Sequence, residues 1–379
     1  MRGTPIVTIF SHSKLLFGVI LLLTASTAMA GVNNWTPIGP PTDPEIAALA
    51  IDPVVSSVFY APPWRSVDGG ATWELTALSS YATDFLFIAA AAGPSGTAYA
   101  GTGCCLPNTP SVGLLLKSTD AGLNWTQISS LPGCAILQIL VDPLVPNTVF
   151  AETECIGFEP YIHSQTFNLI KSLDGGQTWT QIGREIPQQA EILTKLVMDP
   201  TDDQILYVGT SVGLFKSADG GSTWSLLSAD RFAAVVVARS NPMTIYARVG
   251  ELISRSTDGG RTFVPTSLNT YYAGRVTELA INPKDPSKLY AAVQGGKYDT
   301  AAVFETDSGG TCWKRMAASA GTVDGLFVSI KLAIDPAGKF LLAVTNQRIR
   351  VSEYEIAPAF APICASRPRS EPRSVLPRR

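Results

Sequence analysis

The chain has 379 residues, 46 % of them hydrophobic, and a formal net charge of −3, enough apolar material for a sizeable core. Setting aside the +2 of the first 30 residues and the +4 of the last 23 leaves residues 31–356 at −9, with no basic stripe, which argues against a nucleic-acid partner. Past residue 30 a single histidine, His163, remains, so neither a zinc pattern nor any other metal or cofactor site is expected.

In chain order, residues 1–30 read as a secretory signal peptide. Arg2 and Lys14 precede the apolar run Leu15–Leu23, and Ala28–Ala30 offers a small-residue site for cleavage after Ala30. The run falls short of the roughly 20 apolar residues that a membrane span needs, and no later segment reaches that length. The expectation is a secreted or periplasmic protein with no stable span after cleavage, in which the six cysteines favour disulfides.

The next 300 or so residues repeat themselves. Arg65–Trp73 reads RSVDGGATW, Lys117–Trp125 KSTDAGLNW, Lys171–Trp179 KSLDGGQTW, Lys216–Trp224 KSADGGSTW and Arg255–Phe263 RSTDGGRTF. A worn copy, ETDSGGTCW at Glu305–Trp313, has Ser308 where the others have Asp68, Asp120, Asp174, Asp219 and Asp258. Between these turns a second phrase recurs, as in LAIDPVVSSVFYA (Leu49–Ala61), LVMDPTDDQILYVGT (Leu196–Thr210) and LAINPKDPSKLYAA (Leu279–Ala292). Strong and weak forms together mark seven units, the last being LAIDPAGKFLLAVT (Leu332–Thr345).

Each unit has one grammar. An apolar β-branched run ends at Asp-Pro or Asn-Pro, where proline stops pairing. A run of the LYAGT type follows, then a third such as Gly213–Ser217, the aspartate turn, and a fourth such as Thr223–Ser228. Four short antiparallel strands every 40 to 50 residues or so is the pattern of a propeller blade. The seventh unit lacks a turn and a fourth strand, whereas NWTPIGP (Asn34–Pro40) matches the fourth-strand wording TWTQIGR (Thr178–Arg184). The sequence therefore predicts an all-β fold, a single seven-bladed β-propeller over residues 31–356, closed by an N-terminal strand that completes the last blade. Residues 357–379, rich in proline and arginine, read as a disordered tail.

The phrase S-x-D-x-G-x-T-W resembles the Asp-box, or BNR repeat, and the resemblance covers most of the mature chain. The surrounding wording is similar to the sortilin-type, xyloglucanase-type and photosystem II stability/assembly factor families; the sialidases share the motif. Turn chemistry accounts for the motif without catalysis: the aspartate accepts from backbone N–H groups of its own turn, and the two glycines supply positive φ. A catalytic aspartate would be needed once, and this one appears five times. The resemblance also implies that Asp-box turns lie on the face away from any active site.

On the opposite face three loops are enlarged, Gly101–Gly113, Glu152–Asn168 and Val293–Ala301. The second carries Phe158, Tyr161, His163 and Phe167, an aromatic set suited to a sugar ring or a protein partner. Aligned inner strands place Lys195, Glu278 and Lys331 in one column with Ala48, Ala89, Gln138 and Ala234. Arg231 and Arg275 lie just upstream, which suggests a polar cluster at the central channel. The same map pairs one of Cys104 and Cys105 with Cys134 and the other with Cys155, and pairs Cys312 with Cys364. No residue is assigned a catalytic role: the arginine-isoleucine-proline signature of sialidases is absent from Pro44–Asp52, and Tyr271, Tyr272, Arg275 and Glu278 form no recognisable motif. The expected function is that of an exported, non-catalytic propeller binding a protein or glycan partner in a scaffold or assembly role. The alternative is a glycoside hydrolase of sialidase-like or xyloglucanase-like type.

Overall fold

A computed structural model of the chain describes residues 48–80, 86–93, 96–103, 112–132, 134–159, 162–187, 196–269, 275–294, 302–316, 330–345 and 363–364. Blade one is β1 (Ala50–Ile51), β2 (Phe59–Ala61), β3 (Trp64–Ser66) and β4 (Glu74–Leu75). Blade two is β5 (Leu86–Ala92), β6 (Ala98–Gly103), β7 (Val112–Ser118) and β8 (Thr126–Pro132). Blade three is β9 (Cys134–Val141), β10 (Val149–Glu159), β11 (Ile162–Ser172) and β12 (Thr180–Ile182). Blade four is β13 (Val197–Asp199), β14 (Asp202–Gly209), β15 (Leu214–Ser217) and β16 (Ser225–Ser228). Blade five is β17 (Phe232–Val237), β18 (Ile245–Val249), β19 (Leu252–Ser256) and β20 (Val264–Asn269). Blade six is β21 (Arg275–Ile281), β22 (Leu289–Gln294), β23 (Ala302–Thr306) and β24 (Cys312–Arg315). In each the strands hydrogen-bond in chain order, so every blade is an antiparallel meander.

The all-β propeller stands, but it has six blades among the described residues, not seven. The seventh unit forms only a two-stranded sheet, β25 (Ile330–Ile334) and β26 (Leu341–Thr345). Of the seventh unit only these first two strands are described; the third strand expected near Arg348–Glu355 lies outside the described residues. The small sheet sits between blades six and one. Leu332 packs with Ala280, Tyr290 and Ala292, and the Phe340 ring meets Phe59 edge-on, 5.9 Å between centroids. The expected closing strand and the signal peptide lie outside the described residues.

Of residues 357–379 only Ile363 and Cys364 are described. Ile363 and Cys364 form β27, a fifth strand of blade six, with Cys364 directly opposite Cys312. Cys312 is itself disulfide-bonded.

Both recurrent phrases pack as their chemistry dictates. The aspartate or asparagine of the Asp-Pro step is buried and caps its own turn: Asp52 Oδ1 accepts from the N–H groups of Val54 and Val55. Asp142 does the same for Leu144 and Val145, and Asn282 for Lys284 and Asp285. The aromatic of each LYAGT-type strand fills the space toward the next blade. Tyr60, Tyr99, Phe150, Tyr207 and Tyr246 are all essentially buried, which explains their regular placement.

Candidate functional site

The Asp-box turns are fasteners. In blade four the Ser217 hydroxyl donates to Asp219 Oδ1 at 2.8 Å and accepts from the Gly221 N–H at 2.8 Å. Thr223 donates from its N–H to Asp219 Oδ1 at 2.8 Å and from its hydroxyl to Oδ2 at 2.6 Å. Gly220 and Gly221 sit at φ +65° and +90°, which L-residues adopt only with strain. The hydroxyl bond of Thr223, followed by its backbone bond and that of Ser217, holds the Asp219 carboxyl down at about 2. The same bonds hold Asp174 and Asp258 far below the usual range. At Asp68 and Asp120 burial pushes upward, yet the hydrogen bonds carry the carboxyl below its ordinary value. A carboxylate with both oxygens occupied and so low a pKa is a poor general acid or base at neutral pH. The worn copy keeps the frame with hydroxyls: Gly310 N–H donates to Thr306 Oγ1, and Cys312 N–H to Ser308 Oγ.

These turns also fix the two faces of the ring. The residue after the aspartate or serine of each turn donates its N–H to a carbonyl between strands one and two, or at the start of strand two, of the same blade, as Ala121 does to Gly96 and Gly259 to Met243. The opposite face therefore carries the junctions between strands two and three and the starts of the inner strands.

On that opposite face three arginines come together. Arg231 is exposed just before β17, Arg275 is the exposed first residue of β21, and Arg248 lies on β18 beside the β18–β19 turn. The Gly250 N–H donates to the Arg231 carbonyl, tying the turn to the start of β17. Arg248 is 4 % exposed. Its Nη1 donates to the Gly250 carbonyl at 3.2 Å and lies 3.9 Å from the exposed Glu251 carboxylate, while its Nε has no hydrogen-bond partner among the described residues. Burial lowers the Arg248 pKa, and the charges of Arg275 and Arg231 lower it further against the opposing pull of Glu251. Arg248 is thus a buried cation held beside two others.

Sequence reasoning named Arg231 and Arg275 but missed Arg248. The signal was present: in the LYAGT-type phrase Arg248 stands where blades two and four have Gly101 and Gly209. Glu278 and Lys331 are half-buried on the neighbouring inner strands β21 and β25, and Lys195 and Tyr161 lie outside the described residues. The expected loop of blade three is instead a continuation of β10 and β11, in which the backbones of Phe158 and His163 stand directly opposite each other. Gln138 ties blades together, its amide donating to the Leu196 carbonyl and accepting from the Leu196 N–H.

The cysteine map is corrected too. Cys134 bonds Cys155, not a member of the Cys104–Cys105 pair, because the two face each other across β9 and β10. Cys104 and Cys105 lie outside the described residues.

No family model and no curated protein matches the chain. Among solved structures it is similar to YCF48 bound to D1 peptide, at 17 % identity over 73 % of this chain and 83 % of that one, TM-score 0.47. It is similar to an ancestral GH74 enzyme at 17 % identity over 66 % of this chain and 33 % of that one, TM-score 0.47. A Hadza microbial sialidase matches at 14 % identity over 62 % of this chain and 58 % of that one, TM-score 0.42. The chain spans about a third of the GH74 enzyme. The chain is a β-propeller fastened by Asp-box turns. Among the described residues no helix is long and apolar enough to cross a membrane.

Proposed function

We propose that this is an exported, non-catalytic propeller that binds a protein or glycan partner through an anionic group held by Arg231, Arg248 and Arg275. The observation that carries the reading is Arg248, a buried guanidinium beside the exposed Arg231 and Arg275 on the face opposite the fasteners. Burying a cation without a full set of partners costs stability, and proteins keep such costs mainly where function uses them. The YCF48 structure, which contains a bound D1 peptide, agrees with a protein partner without identifying one here.

The test is an array of acidic peptides and of sialylated and sulfated glycans, probed with the full-length protein and with Arg248→Gln. The reading expects a subset of anionic probes to bind and to weaken about tenfold or more in the variant, the loss of one charge-assisted contact. Binding confined to neutral probes, or equal binding by the variant, overturns it. Turnover of sialosides or plant β-glucans that Glu278→Gln abolishes would instead establish the hydrolase.

A further inference from the structure

Away from the arginines, a cleft of about 300 Å³ opens on the outer side of blade three. Thr166, Phe167 and Asn168 of β11 line one side, and Gln181, Arg184 and Ile186 the other. Its origin is a mismatch in strand length. β11 pairs with β10 without interruption from Ile162 to Ser172, but β12 covers only Leu169 to Lys171. At Gly183, φ +71°, the chain turns off the sheet, and the Ile186 N–H closes that turn on the Gly183 carbonyl. Above Leu169 the outer edge of β11 therefore has no partner strand among the described residues.

The direction of the free groups follows from pairing. The Asn168 carbonyl accepts from Thr153 Oγ1 of β10 and so turns inward. Backbone groups alternate sides along a strand, which turns the N–H and C=O of Phe167 and Gln165 outward. Open edges are normally blunted by a bulge, a proline or a charge. Residues 162–168 read IHSQTFN, with no proline and no Lys, Arg, Asp or Glu, and the β10–β11 ladder has no bulge there. Among the described residues this edge is left unprotected beside a cleft of side-chain size.

We propose that this edge binds an extended peptide, which takes the fourth-strand position above β12 and seats one apolar side chain in the cleft. Leu169, Ile182 and Ile186 give the cleft an apolar floor. Gln181, whose amide donates to Asn168 Oδ1 at 2.9 Å, supplies a polar rim. A row of outward backbone donors and acceptors at strand spacing suits a peptide better than a sugar ring. The site is separate from the arginine cluster and does not rest on it.

The experiment selects phage-displayed random heptapeptides on the full-length protein, then measures selected peptides against three variants. Gln165→Pro removes an outward N–H while sparing the β10 ladder, Thr166→Trp fills the cleft, and Arg248→Gln serves as control. Far-UV circular dichroism confirms folding of each. The expected result is a family of peptides with a recurrent apolar residue that bind about tenfold more weakly to Gln165→Pro and Thr166→Trp, but normally to Arg248→Gln. Hydrogen exchange at the Phe167 amide should slow when they bind. Failure to enrich any peptide, or peptides indifferent to both edge variants, overturns the proposal. So does oligosaccharide binding lost in Thr166→Trp but kept in Gln165→Pro, which makes the cleft a sugar subsite. Self-association of the protein abolished by Gln165→Pro overturns it in favour of a second copy of the chain.

Discussion

Lys171 of blade three donates from Nζ to the carbonyl of Gly220 in the fastening turn of blade four, at 2.7 Å. The same Nζ lies 5.3 Å from the centroid of the Phe150 ring. The arrangement recurs: Arg65 reaches the carbonyls of Asp120 and Ala121 in blade two, and Lys117 and Lys216 lie over Tyr99 and Tyr207. The cation that opens each of the five aspartate turn phrases is thus a latch onto the ring, and in two places a direct tie to the next blade.

Lys171→Met should lower unfolding free energy by about 1–2 kcal/mol, the worth of a charge-assisted hydrogen bond with a cation–π contact. Chemical denaturation reads this out. Ligand binding should be unaffected, because the latch lies on the other face from the arginines.

The Asp-box carboxylates give acid sensitivity with a defined sign. Asp219 falls from an ordinary 3.8 to about 2 on folding. Its contribution is fully present above pH 3.8 and disappears as pH falls toward 2, because protonation then becomes easier in the unfolded chain. Asp174 and Asp258 shift the same way, so stability should drop steeply over this window. Asp219→Asn should lower the melting temperature at pH 7 and shrink the difference between pH 5 and pH 3. Thermal scans at the three pH values check both.

Much of this was legible in the sequence, and the limits have physical causes. The turns and Asp-Pro steps were readable because each rests on contacts within about ten residues, such as Ser217–Asp219–Thr223 or Asp52 with Val54 and Val55. The blade count was not, since among the described residues the seventh unit forms only the β25–β26 pair. Arg248 was passed over because its phrase looks like core, and only the fold brings it beside Arg231 and Arg275. The pairing of Cys134 with Cys155 depends on the β9–β10 register, which spacing does not encode.

The cross-strand disulfide closes a short loop, with its cysteines 21 residues apart. Replacing Cys134 and Cys155 by alanine should cost about 3 kcal/mol on the chain-entropy account. Denaturation of the double variant measures this. Peptide mapping of the non-reduced protein should recover Cys134 joined to Cys155, and Cys312 joined to the peptide that contains Cys364.

Arg248 should show the opposite sign from a structural residue. Arg248→Met removes a buried cation that faces two others, so the ligand-free protein should melt at the same temperature or a few degrees higher. A structural arginine would lower it, and differential scanning calorimetry distinguishes the two.

The most direct test of the account is equilibrium binding of an anionic probe recovered from the array, measured on wild type, Arg248→Met and Asp219→Asn. The account predicts that Arg248→Met abolishes binding without loss of stability, while Asp219→Asn binds normally at a temperature where it remains folded. Undiminished binding by Arg248→Met, or binding lost in a folded Asp219→Asn, would contradict it and place the site among the turns.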